Sequence, residues 1–174
     1  MAIRNLVVVG VGLIGGSLAA AVRAKGLAQR ITGIEPNPQS ASYALAQGLV
    51  DDIVDELPVD ADFCALCVPS DLVGEWVLKL ADHAATVIDV GSVKGPIVEA
   101  VQAAPSPVTN FIPCHPISGS EKSGPSAADA QLFESCAVVL TPLPQTDEQK
   151  LAQARELWQQ LGTQIYLMSP AEHD

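Results

Sequence analysis

The chain reads as a doubly wound α/β domain, a mostly parallel sheet with helices on both faces. Two observations predict it. Short, unbroken runs of β-branched and other apolar residues recur along the 174 residues, with amphipathic stretches of helical length between nearly all of them. Runs that are apolar on both faces belong to strands covered on both sides. The first such run also leads directly into a glycine-rich turn and then a helix-like stretch, the unit with which nucleotide-binding sheets open.

The elements follow in order. Asn5–Val9 is the first strand, and Gly10-x-Gly12-x-x-Gly15 joins it to a helix over Leu13–Lys25. A second strand, Ile31–Ile34, ends at Glu35, 20 positions after Gly15. Glycines at this spacing between a strand and a helix, with an acid at that distance, form a dinucleotide-binding fingerprint of the Rossmann type. Gly10 permits the tight turn, Gly12 lets the backbone approach a pyrophosphate, and Gly15 allows close helix–strand packing. The helix N-terminus offers free N–H groups to the phosphates. Glu35 can accept hydrogen bonds from both ribose hydroxyls and would repel a 2′-phosphate. No Arg or Lys follows it in Pro36–Ser40, so NAD is expected over NADP. Leu13 and Ile14 at the helix start, and Pro69 and Ser70 after the third strand, are the other expected cofactor contacts.

Helices over Pro38–Gln47, Asp71–Ala81 and Lys94–Ala103 alternate with strands at Phe63–Val68, Thr86–Val90 and Asn110–Cys114. The stretch from His115 to about Asp129 is rich in Ser, Gly and Pro and longer than a crossover needs, so a functional loop is expected there. Strands at Ala137–Leu140 and Gln164–Leu167 flank a helix over Glu148–Leu161. Its Leu151, Ala154, Leu157, Trp158 and Leu161 share one face. Ser169-Pro170-Ala171-Glu172 reads as a helix opening: a capping Ser, Pro at the first position and Glu three residues after the cap. The expected division is a nucleotide-binding domain over residues 1–168, with 169–174 beginning a linker helix into a further segment.

Composition narrows the partners. A net charge of −11 with only nine Lys and Arg excludes a phosphate-neutralising nucleic-acid surface. No apolar run is long enough to span a bilayer, and Met1 is followed almost at once by the first strand, so a cytoplasmic location is expected. Cys64 and Cys67 form a C-x-x-C pair inside a buried strand, where side chains at i and i+3 face opposite sides. They are read as structural, and no second pair completes a zinc site, so no metal is expected.

The residues after the fourth strand carry the chemistry. Asp89-Val90-Gly91-Ser92-Val93-Lys94 ends one strand, and the next runs into His115-Pro116-Ile117-Ser118-Gly119-Ser120-Glu121-Lys122-Ser123-Gly124. Both sets lie at carboxyl ends of parallel strands, where open α/β sheets place ligands. Trp158-x-x-x-Gly162 and Met168-Ser169-Pro170-x-Glu172-His173-Asp174 follow. In this order the motifs resemble the prephenate dehydrogenases and their arogenate and cyclohexadienyl dehydrogenase relatives, over essentially the whole chain.

The resemblance implies oxidative decarboxylation of prephenate with NAD, in tyrosine biosynthesis. It implies His115 as the catalytic acceptor of the ring-hydroxyl proton, and Ser92 as a second hydroxyl contact holding His115 and the nicotinamide in register. Ser120 and Glu121 become substrate-loop residues, with Glu121 gating access. It also implies a helical C-terminal domain, absent from this chain, that builds a homodimer and supplies an arginine for a substrate carboxylate. From residue type alone, Ser92 serves equally well as a cap for the helix near Lys94. His83 reads as surface, and His173 sits at the domain junction without an assigned chemistry. Two other readings stay open: a different 3-hydroxyacid or imino-acid dehydrogenase, and a nucleotide-binding module without catalysis. The first does not call for His-Pro-x-x-Gly-x-Glu, and the second has no use for both His115 and Ser92.

Overall fold

A computed structural model describes residues 1–174. In β1 (Ile3–Val9), Leu6 and Val8 join one buried cluster and Val7 and Val9 a second. β4 (Phe63–Leu66) splits likewise, Phe63 and Ala65 to one side, Cys64 and Leu66 to the other. Strands with no polar face must be buried twice, and these are. β2 (Ala28–Ile34), β3 (Asp52–Ile53), β5 (Thr86–Asp89) and β6 (Phe111–Ile112) complete a parallel sheet of order β3-β2-β1-β4-β5-β6. The order reverses between β1 and β4, which opens a crevice at their carboxyl ends.

Leu18 and Val22 of α1 (Leu13–Ala24), Ala44 of α2 (Pro38–Ala46) and Leu157 and Trp158 of α5 (Glu148–Gln160) cover one face. Val73 and Val77 of α3 (Ser70–Lys79) and Ile97 and Val101 of α4 (Gly95–Gln102) cover the other. Caps set the helix starts. Asn37 accepts from the Ser40 N–H at 3.0 Å just before Pro38, and Asp147 accepts from Gln149 at 2.8 Å and Lys150 at 3.0 Å. No helix is long and apolar enough to cross a membrane.

The expected strand Asn110–Cys114 is broken at Pro113. Proline has no N–H for the ladder, and the next donor, Cys114 N–H, turns to the Asp89 carboxylate at 2.9 Å. The chain leaves the first sheet as β7 (Cys114–Pro116), antiparallel to β8 (Ala137–Leu140), which pairs in parallel with β9 (Gln164–Leu167). These three strands form a second sheet, a division that the apolar pattern alone does not mark. It seats Val138 and Leu140 in the first cluster, beside the Phe133–Trp158 edge-to-face pair at 5.4 Å. The long loop after β7 folds back on α1: a 3-10 turn at Pro125–Ala127 buries Pro125, and the Asp129 N–H donates to Ser17 Oγ at 2.9 Å.

α6 (Pro170–His173) forms where its opening residues predict. Ser169 Oγ accepts from the Glu172 N–H at 3.2 Å, and the Ser169 N–H donates to the Glu172 carboxylate at 2.7 Å. Asp174 accepts from the N–H groups of Lys94 at 3.1 Å and Gly95 at 2.6 Å, capping α4.

Candidate cofactor and active site

The glycine turn is shaped by close backbone approach. Gly10 has φ +87°, and a Cβ there would lie 2.6 Å from the Cys67 carbonyl oxygen; one at Gly15 would lie 2.0 Å from the Gly10 carbonyl oxygen. At Gly12 a Cβ would meet nothing within 4 Å. Gly12 is the N-cap of α1 and makes no side-chain cap, so the first N–H groups of the helix are open to a ligand. An open hollow over uncapped N–H groups fits a pyrophosphate. The three glycines should therefore separate in mutagenesis. Gly15→Ala is expected to destabilise the domain by about 2–3 kcal/mol or more in denaturant unfolding, because a backbone oxygen cannot move aside. Gly12→Val is expected to leave stability nearly unchanged and to abolish dinucleotide binding.

Glu35 ends β2 beside that turn. One carboxylate oxygen accepts from the Val11 N–H at 3.0 Å and the other from the Asn37 N–H at 2.9 Å. Each oxygen keeps a second lone pair for a ribose hydroxyl. Ile34, Val54 and Trp76 line a small hollow with Glu35, and Trp76 has no counterpart in the sequence reading. An aromatic placed by α3 beside a β2 acid carries no local signal.

A cleft of about 390 Å³ lies at the carboxyl ends of β4, β5 and β7, and it brings together Ile14, Pro69, Ser70, Ser92 and His115. Ser92 is exposed, and it does not cap α4, whose N-cap is Lys94 and whose first donors go to Asp174. Ser120 and Glu121 are not part of the cleft. Both are exposed; Ser120 accepts from the Lys122 N–H at 3.1 Å, and Glu121 forms no ion pair. His83 is a structural residue, its ring accepting from the Ala85 N–H at 3.0 Å.

His115 is half-buried in β7. Burial holds its pKa below the usual histidine value, aided by His173 and Lys94 and opposed by Asp89 and Asp174. The neutral imidazole, able to accept a proton, is favoured. Its Nδ1 lies 2.8 Å from Nε2 of His173, whose Nδ1 lies 2.6 Å from Asp174. No local pattern signals this contact: 58 positions separate the two histidines, and the fold brings β7 and α6 together.

Asp89 and Lys94, quoted above only as motif residues, form a wholly buried ion pair at 2.5 Å. Asp89 also accepts from Gly91 N–H at 3.0 Å and Cys114 N–H at 2.9 Å, joining the Ser92 loop to the strand that carries His115. Burial, with Asp89 next, pushes the Cys67 thiol up to about 12. Burial raises the Cys64 thiol as well, and all four cysteines are free. The raised thiols are unreactive near neutrality. No cluster of three or more His, Cys, Asp or Glu side chains is placed to hold a metal ion.

Residues 18–167 match the family described as prephenate dehydrogenase, nucleotide-binding domain. The match begins beyond the glycine turn, whose nucleotide reading rests on its own geometry. Prephenate dehydrogenase of Bacillus subtilis is 34% identical over 178 residues, covering 98% of this chain and 48% of the relative. The chain spans about half the length of that relative. A prephenate dehydrogenase structure from Aquifex aeolicus, in complex with hydroxyphenyl propionate and NAD+, superposes with a TM-score of 0.89 at 34% identity, over 99% of this chain and 62% of that one. Synechocystis arogenate dehydrogenase gives 0.85 at 36% identity, over 97% and 61%.

Proposed function

This chain belongs to the prephenate dehydrogenase family as its nucleotide-binding domain, and from that premise we propose that it binds NAD and serves the oxidative decarboxylation of prephenate, or of arogenate. The observation that carries the reading is His115, half-buried with burial holding its pKa below the usual value, facing one cleft with Ser92 and the residues at the head of α3. When bound, NAD supplies the hydride acceptor. The uncapped N–H groups at the start of α1 would hold its pyrophosphate, Glu35 the adenosine ribose, and Trp76 the adenine face.

His115 accepts the ring-hydroxyl proton while that carbon gains carbonyl character, and Ser92 orients the hydroxyl. As the ring carboxylate leaves as CO2 and the ring becomes aromatic, the proton returns to the phenol oxygen. Aromatisation drives the reaction, so positioning and one proton acceptor suffice. No Arg or Lys lines the cleft, and Lys94 is sealed against Asp89. A substrate carboxylate therefore needs a cation from outside these residues. We expect residues 1–174 alone to bind NAD and to turn prephenate over poorly, with a dimer-forming helical domain supplying the missing charge. The same reading has the protein acting in the cytoplasm, in tyrosine biosynthesis.

Calorimetry with NAD and NADP tests the cofactor half. NAD should bind the tighter by tenfold or more, since Glu35 faces a 2′-phosphate with like charge. Equal or tighter NADP binding would overturn the Glu35 assignment. The pH dependence of prephenate turnover tests the base. Because the pKa of His115 is lowered, the active neutral form should persist below pH 6.5, with rate falling only on further acidification. An acid limb centred above the usual histidine value would contradict it.

A further inference from the structure

The geometry points to His173 and Asp174 as a positioning pair that fixes which nitrogen of His115 carries the proton, leaving Nε2 as the base toward the cleft. This rests on the reading of His115 as the proton acceptor, and it assigns a role to two residues that reading leaves unused.

With His173 uncharged, the chain of contacts has one proton order. Asp174 is held as a carboxylate below the usual range, chiefly by the hydrogen bond from the His173 ring and then by the N–H groups of Gly95 and Lys94. A carboxylate only accepts, so Nδ1 of His173, 2.6 Å away, must donate to it. A neutral His173 then has a bare Nε2. That atom lies 2.8 Å from Nδ1 of His115, which must therefore donate. The remaining ring nitrogen of His115, Nε2, keeps its lone pair. Without a partner, histidine carries its proton on either nitrogen; here the partner chooses.

The pair is itself held rigidly. Pro170 and the Ser169–Glu172 capping box set the single turn that carries His173, and the two backbone donors at the head of α4 fix the Asp174 carboxylate. The rings of His115 and His173 meet edge to face, with centroids 5.1 Å apart and planes at 71°. The titratable groups acting on His115 are His173 and Asp174 at α6, and Lys94 and Asp89 at the head of α4 and the end of β5.

Nitrogen-15 correlation spectra of the ring nitrogens in residues 1–174 test this without substrate, with His115→Gln used to assign the signals. In the wild type above pH 7, His115 should be protonated at Nδ1. Asp174→Asn should invert it. The shorter contact from Gly95 keeps the Asn carbonyl, its amide then donates to His173, and His173 donates to His115, leaving the proton on Nε2. His173→Phe retains the cap and the ring-edge contact but removes the acceptor, and should shift His115 toward the Nε2-protonated form. This second variant keeps the test open if loss of the cap in Asp174→Asn prevents folding.

A wild-type His115 protonated on Nε2, or a ring unmoved in both folded variants, would overturn the inference. In a form of the protein that turns over prephenate, Asp174→Asn should lower kcat by roughly 10²-fold or more at unchanged NAD affinity. Tautomer inversion with undiminished kcat would support the positioning pair and overturn His115 as the base.

Discussion

His115→Asn is expected to lower prephenate turnover by roughly 10²–10⁴-fold, the usual worth of a positioned general base. Asn keeps polarity and approximate size, so β7 should still pair with β8 through the His115–Val139 position. What is lost is a group able to take a proton near neutral pH. NAD affinity should hardly change, because the glycine turn and Glu35 belong to β1, α1 and β2, away from the strand that carries His115. Steady-state kcat beside a calorimetric NAD titration separates the two effects. An unimpaired Asn variant would place the proton elsewhere and end the mechanism proposed above.

The largest effect on stability is expected from Lys94→Met. Removing the ammonium leaves Asp89 wholly buried and short of its one counter-charge, a change that typically costs about 3–5 kcal/mol. For a domain of this size that corresponds to roughly 6–20 °C in Tm. Against total stabilities of about 5–15 kcal/mol, such a loss approaches unfolding. The double variant Asp89→Asn/Lys94→Met removes both charges while keeping an acceptor for one of the two backbone donors. It should recover part of the loss, and a double-mutant cycle should show coupling of at least about 1 kcal/mol. An additive cycle would mean that the pair contributes little beyond its separate contacts.

Much of this fold was legible because its signals are local. Six of the seven expected strands and all five long helices fall within a few residues of their expected ends. Unbroken apolar runs mark doubly buried strands, and Asn37-Pro38 and Ser169-Pro170 mark helix starts. β3 has only two residues, too few to show any period. The turn from β6 into β7 hinges on one missing N–H at Pro113, inside a run otherwise as apolar as any strand.

The site divided in the same way. The glycines, Glu35, Ser92 and His115 stand next to strand ends and could be read from position. Asp89, Lys94, His173 and Asp174 could not, because charged residues give no warning that they will be buried or will meet across 58 or 80 positions.

Glu35 carries a consequence for anyone redesigning cofactor preference. Its carboxylate braces the Val11 and Asn37 N–H groups on either side of the nucleotide hollow. Converting the domain to the phosphorylated cofactor by a single exchange to Ser or Ala would remove the repelling charge and, at the same stroke, two braces of the loop that must grip the diphosphate. The shorter side chains cannot span both donors, and an unpaired N–H at the fully buried Val11 costs about 1–3 kcal/mol. A workable redesign has to rebuild that bracket first, since even Gln offers an acceptor to only one of the two donors, and only then add a cation for the extra phosphate.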